Sequence, residues 1–208
     1  LASSITNGIN PDTTIFSETG KTLVENYRRI HNSRNKLWAD EIVTDIVTAL
    51  FDKGENAELG GFFMVDGPMF SGKSKLLIEI INRLRTYPQL RDKVKVFTSA
   101  LVNKNYIGTK QRYGEAEKGS LIAATPLDME SMHAFLEDGF VTSTKVLVID
   151  EASFIPIPTK STDFIAEDAG DFVTAYQRRC KEFENIVNSL VNRGVNVVIG
   201  GLRRDARG

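Results

Sequence analysis

A chain of 208 residues that is 41% hydrophobic and 25% charged has room for one α/β domain with a sizeable core plus an extension. Its 26 Lys and Arg against 27 Asp and Glu leave a formal charge of -1, which excludes a bulk electrostatic pull toward nucleic acid or membrane but not a local basic stripe. With only Cys180, His31 and His133, these residues exclude an intrachain disulfide and a four-Cys or Cys₂His₂ zinc site, and they point to a reducing, cytoplasmic setting.

No apolar run approaches the roughly 18 residues that would cross a bilayer, and the N-terminus lacks the basic-then-apolar layout of a signal peptide. The chain opens on Leu1 and stops at Gly208 directly after a strand-like run, so it reads as part of a longer polypeptide. Residues 1–16 are polar and turn-rich. Gly20-Lys21-Thr22 imitates a phosphate-loop ending, but Ile15 stands where the first glycine is needed, so Ser17 is read only as a helix start. Leu23 to Phe51 has helical periodicity, expected in two pieces joined at Asn32-Ser33-Arg34-Asn35. Arg28, Arg29 and Arg34 fit a solvated helix face, with phosphate contact as the competing reading. Trp38 is read as a packing anchor, not a base-stacking platform. Residues 1–59 are thus expected to form an N-terminal arm and helical extension, and residues 60–208 a nucleotide-binding domain.

The most informative stretch is Gly67-Pro68-Met69-Phe70-Ser71-Gly72-Lys73-Ser74. An apolar run, Gly61 to Val65, precedes it, and the amphipathic Lys75 to Ile81 follows. Strand, G-x-x-x-x-G-K-S, helix is the context of a phosphate-binding loop. Small residues let the loop curl into an anion-binding nest of backbone N–H groups, and the next helix aims its positive end at the same point. Gly67 through Ser74, with Lys75, are therefore the candidate ATP-binding residues. Lys73 reaches the β- and γ-phosphates, and the Ser74 hydroxyl is a candidate Mg²⁺ ligand.

Val94 to Thr98 reads as the next strand. The polar stretch Asn103 to Lys118, carrying Lys104, Lys110, Arg112 and Tyr113, is either a substrate rim or a surface loop. Leu121 to Ala124 is a candidate short strand, and Pro126 to Asp138 a helix with His133 on its surface. Lys145 to Ile149 is continuously apolar after its first residue, as a strand buried on both faces should be, and it ends in Asp150-Glu151. Open α/β sheets hold ligands at that carboxyl edge. Asp150 is therefore the second candidate Mg²⁺ ligand, through water, and Glu151 the candidate general base. Pro156 to Asp171 is an acidic excursion, Phe172 to Val191 a helix with Cys180 an ordinary member, and Val195 to Gly200 the last strand. Arg203 and Arg204 follow it, placed either to meet transition-state charge or to pair with the acidic excursion.

These motifs together resemble the RecA-like thymidine kinases, the zinc-lobe type. The loop with its internal Pro68-Met69-Phe70, the run Val148 to Phe154, and Gly201-Leu202-Arg203-Arg204-Asp205 carry the resemblance, over roughly Gly60 to Gly208. It implies a parallel sheet flanked by helices, ATP and Mg²⁺, and transfer of the γ-phosphoryl to a nucleoside 5′-hydroxyl. By the same resemblance Lys73 neutralises the ATP phosphates, Glu151 takes the hydroxyl proton, Met69 and Phe70 line the nucleoside pocket, and Arg112-Tyr113 match the family's Arg-Tyr pair. Ser153 stands where the family usually has Gln, and Ala206 where it usually has an aromatic residue. The family's zinc lobe has no counterpart among these residues. A P-loop ATPase that remodels nucleic acid or protein, or a kinase-derived nucleotide-binding module in a larger assembly, is the alternative expectation, and the chain is expected to be a homo-oligomer or part of a larger chain.

Overall fold

The computed structural model describes residues 18–51, 59–67, 71–108, 121–160, 163, 165, 168 and 170–202; within the first helix the side chains are described from Ser33 to Leu50. Helix α1 spans Glu18–Phe51 as one continuous helix of 34 residues. The expected break at Asn32 to Asn35 does not occur. That stretch holds no Gly or Pro to interrupt the backbone ladder, and Asn35 is itself buried. The helix begins one residue after Ser17, which lies outside the described residues.

Strand β1 (Phe62–Gly67) leads through the glycine loop to α2 (Lys73–Thr86), and β2 (Val94–Ser99) follows. A short antiparallel pair, β3 (Tyr106–Gly108) and β4 (Leu121–Ala123), sits apart from the main sheet. Then come β5 (Thr125–Leu127), α3 (Met129–Met132), α4 (Asp138–Ser143), β6 (Val146–Asp150), α5 (Phe172–Asn192) and β7 (Asn196–Leu202). Residues Pro126 to Asp138 are therefore not one helix. Pro126 belongs to β5, and Asp128 caps α3 by accepting from the Ser131 amide at 2.9 Å, which delays the helix start. His133 is exposed as expected, with Nε2 2.7 Å from a Glu182 carboxylate oxygen.

The main sheet has the order β1-β7-β6-β2-β5, and every pairing in it is parallel. All five residues of β6, the central strand, are buried, as its unbroken apolar run requires. Alternation along it feeds two cores. Val146 and Val148, with Val198, face Leu77, Ile80, Ile81 and Leu84 of α2 and Ala39, Val43 and Ile46 of α1. Leu147 and Ile149, with Val197 and Ile199, face Ile186, Val187 and Leu190 of α5 and the Met129, Met132 and Phe135 cluster.

The acidic excursion is tied down by Arg178 and Arg179 of α5. Asp163 accepts from Arg179 at 2.9 Å and from the Thr159 and Lys160 amides, while Asp168 receives both Nε and Nη2 of Arg178 at 3.0 Å. Arg203 and Arg204 lie outside the described residues.

Candidate nucleotide-binding site

The parallel order brings the carboxyl ends of β1, β7 and β6 to one edge, with β7 between the strand before the loop and the strand that ends in the acids. Gly67 closes β1, and a Cβ there would come within 2.7 Å of Ser71 Oγ, so the two ends of the glycine motif approach each other closely. Gly72 takes φ 89°, a left-handed conformation that favours glycine, and opens α2. Pro68, Met69 and Phe70 lie outside the described residues, as does Arg112.

Lys73 is 8% exposed, and its Nζ donates to the Gly67 carbonyl at 3.1 Å, so the ammonium is folded against the loop. Ser74 Oγ donates to Asp150 Oδ2 at 2.9 Å, joining the first turn of α2 to the end of β6. Lys75 stands on the same turn of α2, half-buried. The tie passes over β7 at Gly200, where a Cβ would come within 2.8 Å of Leu77 Cδ1 and 3.1 Å of Asp150 Oδ1. Gly200 is thus a site residue that motif reading missed. Its signal in sequence was only a glycine inside an otherwise apolar strand.

Asp150 is 5% exposed, and burial pushes its carboxyl up from the ordinary value; the Ser74 hydroxyl, the Glu151 amide, Lys104 and Lys73 pull the other way. Glu151 is also raised, first by burial and then by the charge of Asp150, with Lys73 and Lys104 opposing. Its backbone takes φ 55° and ψ 34°, left-handed and uncommon for a residue with a side chain. Its amide donates to Asp150 Oδ1 at 3.1 Å. The two adjacent carboxyls therefore stand in different surroundings, one buried and bonded to the loop helix and the other half-buried, and burial raises the proton affinity of both.

Two oxygens 2.9 Å apart, one hydroxyl and one carboxylate, fit a hard divalent cation, since neighbouring ligands on an octahedron with bonds of about 2.1 Å stand about 3 Å apart. Among the described residues no group of three or more His, Cys, Asp or Glu side chains converges on a metal position. Mg²⁺ suits such a sparse donor set, because it keeps waters and binds phosphate oxygens alongside one or two protein groups.

Beside the loop lies a cavity of about 270 Å³, lined from one side by Gly67, Ser71, Gly72 and Lys73. Its other wall comes from α1, through Arg34, Asn35 and Trp38. Trp38 is 41% exposed, so it is not the packing anchor expected; Arg34 is exposed, as the solvated-face reading has it, and also stands at the cavity rim, while the side chains of Arg28 and Arg29 lie outside the described residues.

A parallel sheet with G-x-x-x-x-G-K-S between β1 and α2, and an acid pair at the end of β6, defines a P-loop nucleotide-binding protein. A family model described as thymidine kinase matches residues 60–192, from just before β1 to the end of α5. The chain belongs to the thymidine kinase family. Similar curated proteins include the thymidine kinases of two Bacteroides fragilis strains, ATCC 25285 and YCH46, each 27% identical over 158 residues and covering 74% of this chain. The chain spans 60% of the length of these relatives. Among the described residues no helix is long and apolar enough to cross a membrane.

Proposed function

We propose that this protein transfers the γ-phosphoryl of ATP to the 5′-hydroxyl of a deoxynucleoside, with thymidine the first acceptor to test. The observation that carries this reading is the Ser74–Asp150 bond, with Glu151 beside it, in a chain whose family model is that of the thymidine kinases. Backbone N–H groups of the loop, the ammonium of Lys73 and the N-terminus of α2 hold the ATP phosphates. Ser74 and Asp150 hold Mg²⁺, which when bound neutralises charge on the phosphate oxygens. Glu151, with its raised proton affinity, accepts the hydroxyl proton as that oxygen attacks phosphorus. Met69 and Phe70 line the acceptor pocket, and Arg112, Arg203 and Arg204 are candidate substrate or transition-state contacts, all by the family resemblance. Residues 1–59 form an extension and residues 60–208 the nucleotide-binding unit of a cytoplasmic protein that is a homo-oligomer or part of a larger chain.

The test is incubation with Mg-ATP and, separately, thymidine, the other deoxynucleosides, DNA, or nothing added, with products resolved by chromatography. Formation of a nucleoside monophosphate is the expected result. Release of free phosphate stimulated by DNA, with no phosphorylated nucleoside, would contradict it and favour an ATP-driven motor.

A further inference from the structure

Helix α1 lies outside the stretch matched by the family model, yet it walls the phosphate-loop cavity. Ala39, Val43 and Ile46, one face of the helix, are buried in the core shared with α2, and Asp40 pairs with Arg83 on α2. The helix is therefore fixed along α2, and its preceding turn is carried over the loop. There Arg34 and Trp38 face the same space as Ser71 and Lys73.

Three features of that space point to an anionic ligand. Its charged lining is two cations, Arg34 and Lys73, against one carboxylate, Asp66. The Arg34 guanidinium carbon lies 4.7 Å from the centre of the Trp38 ring, a cation–π stack that holds the planar cation while leaving its N–H edges available to oxygen acceptors. Ser71 Oγ is shut from solvent and has no hydrogen-bond partner among the described residues. A buried hydroxyl left in that state is costly, and a phosphate oxygen would satisfy it.

We propose that Arg34 is an additional phosphate ligand of the bound nucleoside triphosphate, held in place by Trp38, so that α1 is a working wall of the nucleotide site. This rests on the nucleotide-binding reading above. A guanidinium on a phosphate forms a charge-assisted, directional contact that a point-charge lysine reproduces only in part.

Trp38 is the single tryptophan of the chain, which makes the proposal directly measurable. Equilibrium dialysis with radiolabelled Mg-ATP gives the Kd, and indole emission is followed in a parallel titration. Emission is expected to change with the same half-saturation as dialysis. Arg34→Gln is expected to raise Kd about tenfold, with Arg34→Lys recovering part of the loss. If ATP binds but Arg34→Gln leaves Kd within about twofold, Arg34 is not a ligand, whether or not the emission moves. If the unaltered protein binds no ATP, the nucleotide reading fails and this proposal fails with it.

Discussion

Glu151 occupies a backbone region that residues with side chains seldom enter, directly after an acid bonded to the loop helix. The turn follows an Asp150 side chain that is bonded to Ser74 and to the Glu151 amide, and leaves Glu151 in surroundings of its own. The proposed role of Glu151 as general base has a pH signature. A general base works only when deprotonated, so kcat/KM must fall as pH drops through its pKa. Burial and Asp150 hold that value above the ordinary 4.5, so the acid limb is expected above 4.5 in a pH–rate profile. Lys104 opposes the shift, and Lys104→Met should therefore move the limb to higher pH. A limb that stays put, or moves down, would remove Lys104 from the electrostatics of the site. Gly200 gives a second expectation at this scale. Gly200→Val drives a branched side chain toward Leu77 and Asp150, and should weaken Mg-ATP binding and lower turnover together, as read by dialysis and steady-state kinetics. Neither Lys104 nor Gly200 belongs to a motif. Their importance depends on neighbours brought in by the sheet, which is why the linear pattern left Gly200 unmarked and Lys104 as one member of an undivided polar stretch.

At the scale of elements, the strands and helices whose local pattern agrees with their burial were legible. β6 is apolar throughout because both its faces are covered, and the loop between β1 and α2 is identified by glycine spacing that its backbone needs. Elements decided by tertiary packing were not. The polar Asn32 to Asn35 looks like a joint, but the helix continues because packing along α2 outweighs local propensity. The roles of Arg178 and Arg179 were equally hidden, since nothing local marks two arginines within a helix as partners of the acidic excursion. The Asp163–Arg179 pair is nearly solvent-free, with side chains 2% and 8% exposed. Asp163→Asn leaves the guanidinium without its counter-charge and should cost about 3 kcal/mol in urea unfolding at neutral pH. Burial alone would raise Asp163, but the Thr159 and Lys160 amides and Arg179 hold it below 3.8. With a folded value below the unfolded one, its stabilisation is complete above 3.8 and is lost as pH falls through the folded value. The difference between wild type and Asp163→Asn should therefore narrow only in acid. An equal difference at every pH would show that charge is not what the pair contributes.

For the whole molecule, the sheet order sets what the site can do. β7 lies between β1 and β6, so the loop and the acids meet across one intervening strand, and a glycine in that strand leaves room for them to do so. The same edge gathers the Ser74–Asp150 pair, Glu151 and the cavity walled by α1. The family match starts at residue 60, whereas the core shared by α1 and α2 ties the N-terminal helix to the same body. The division of labour within the site makes a sharp demand: ATP should be held by one set of groups and activated by another. Glu151→Gln keeps the shape of the side chain and removes its basicity. Measured side by side, ATP Kd should stay within about twofold while nucleoside phosphorylation falls at least about 100-fold. Undiminished turnover in Glu151→Gln would contradict the assignment of base and, with it, the proposed chemistry of the acid pair.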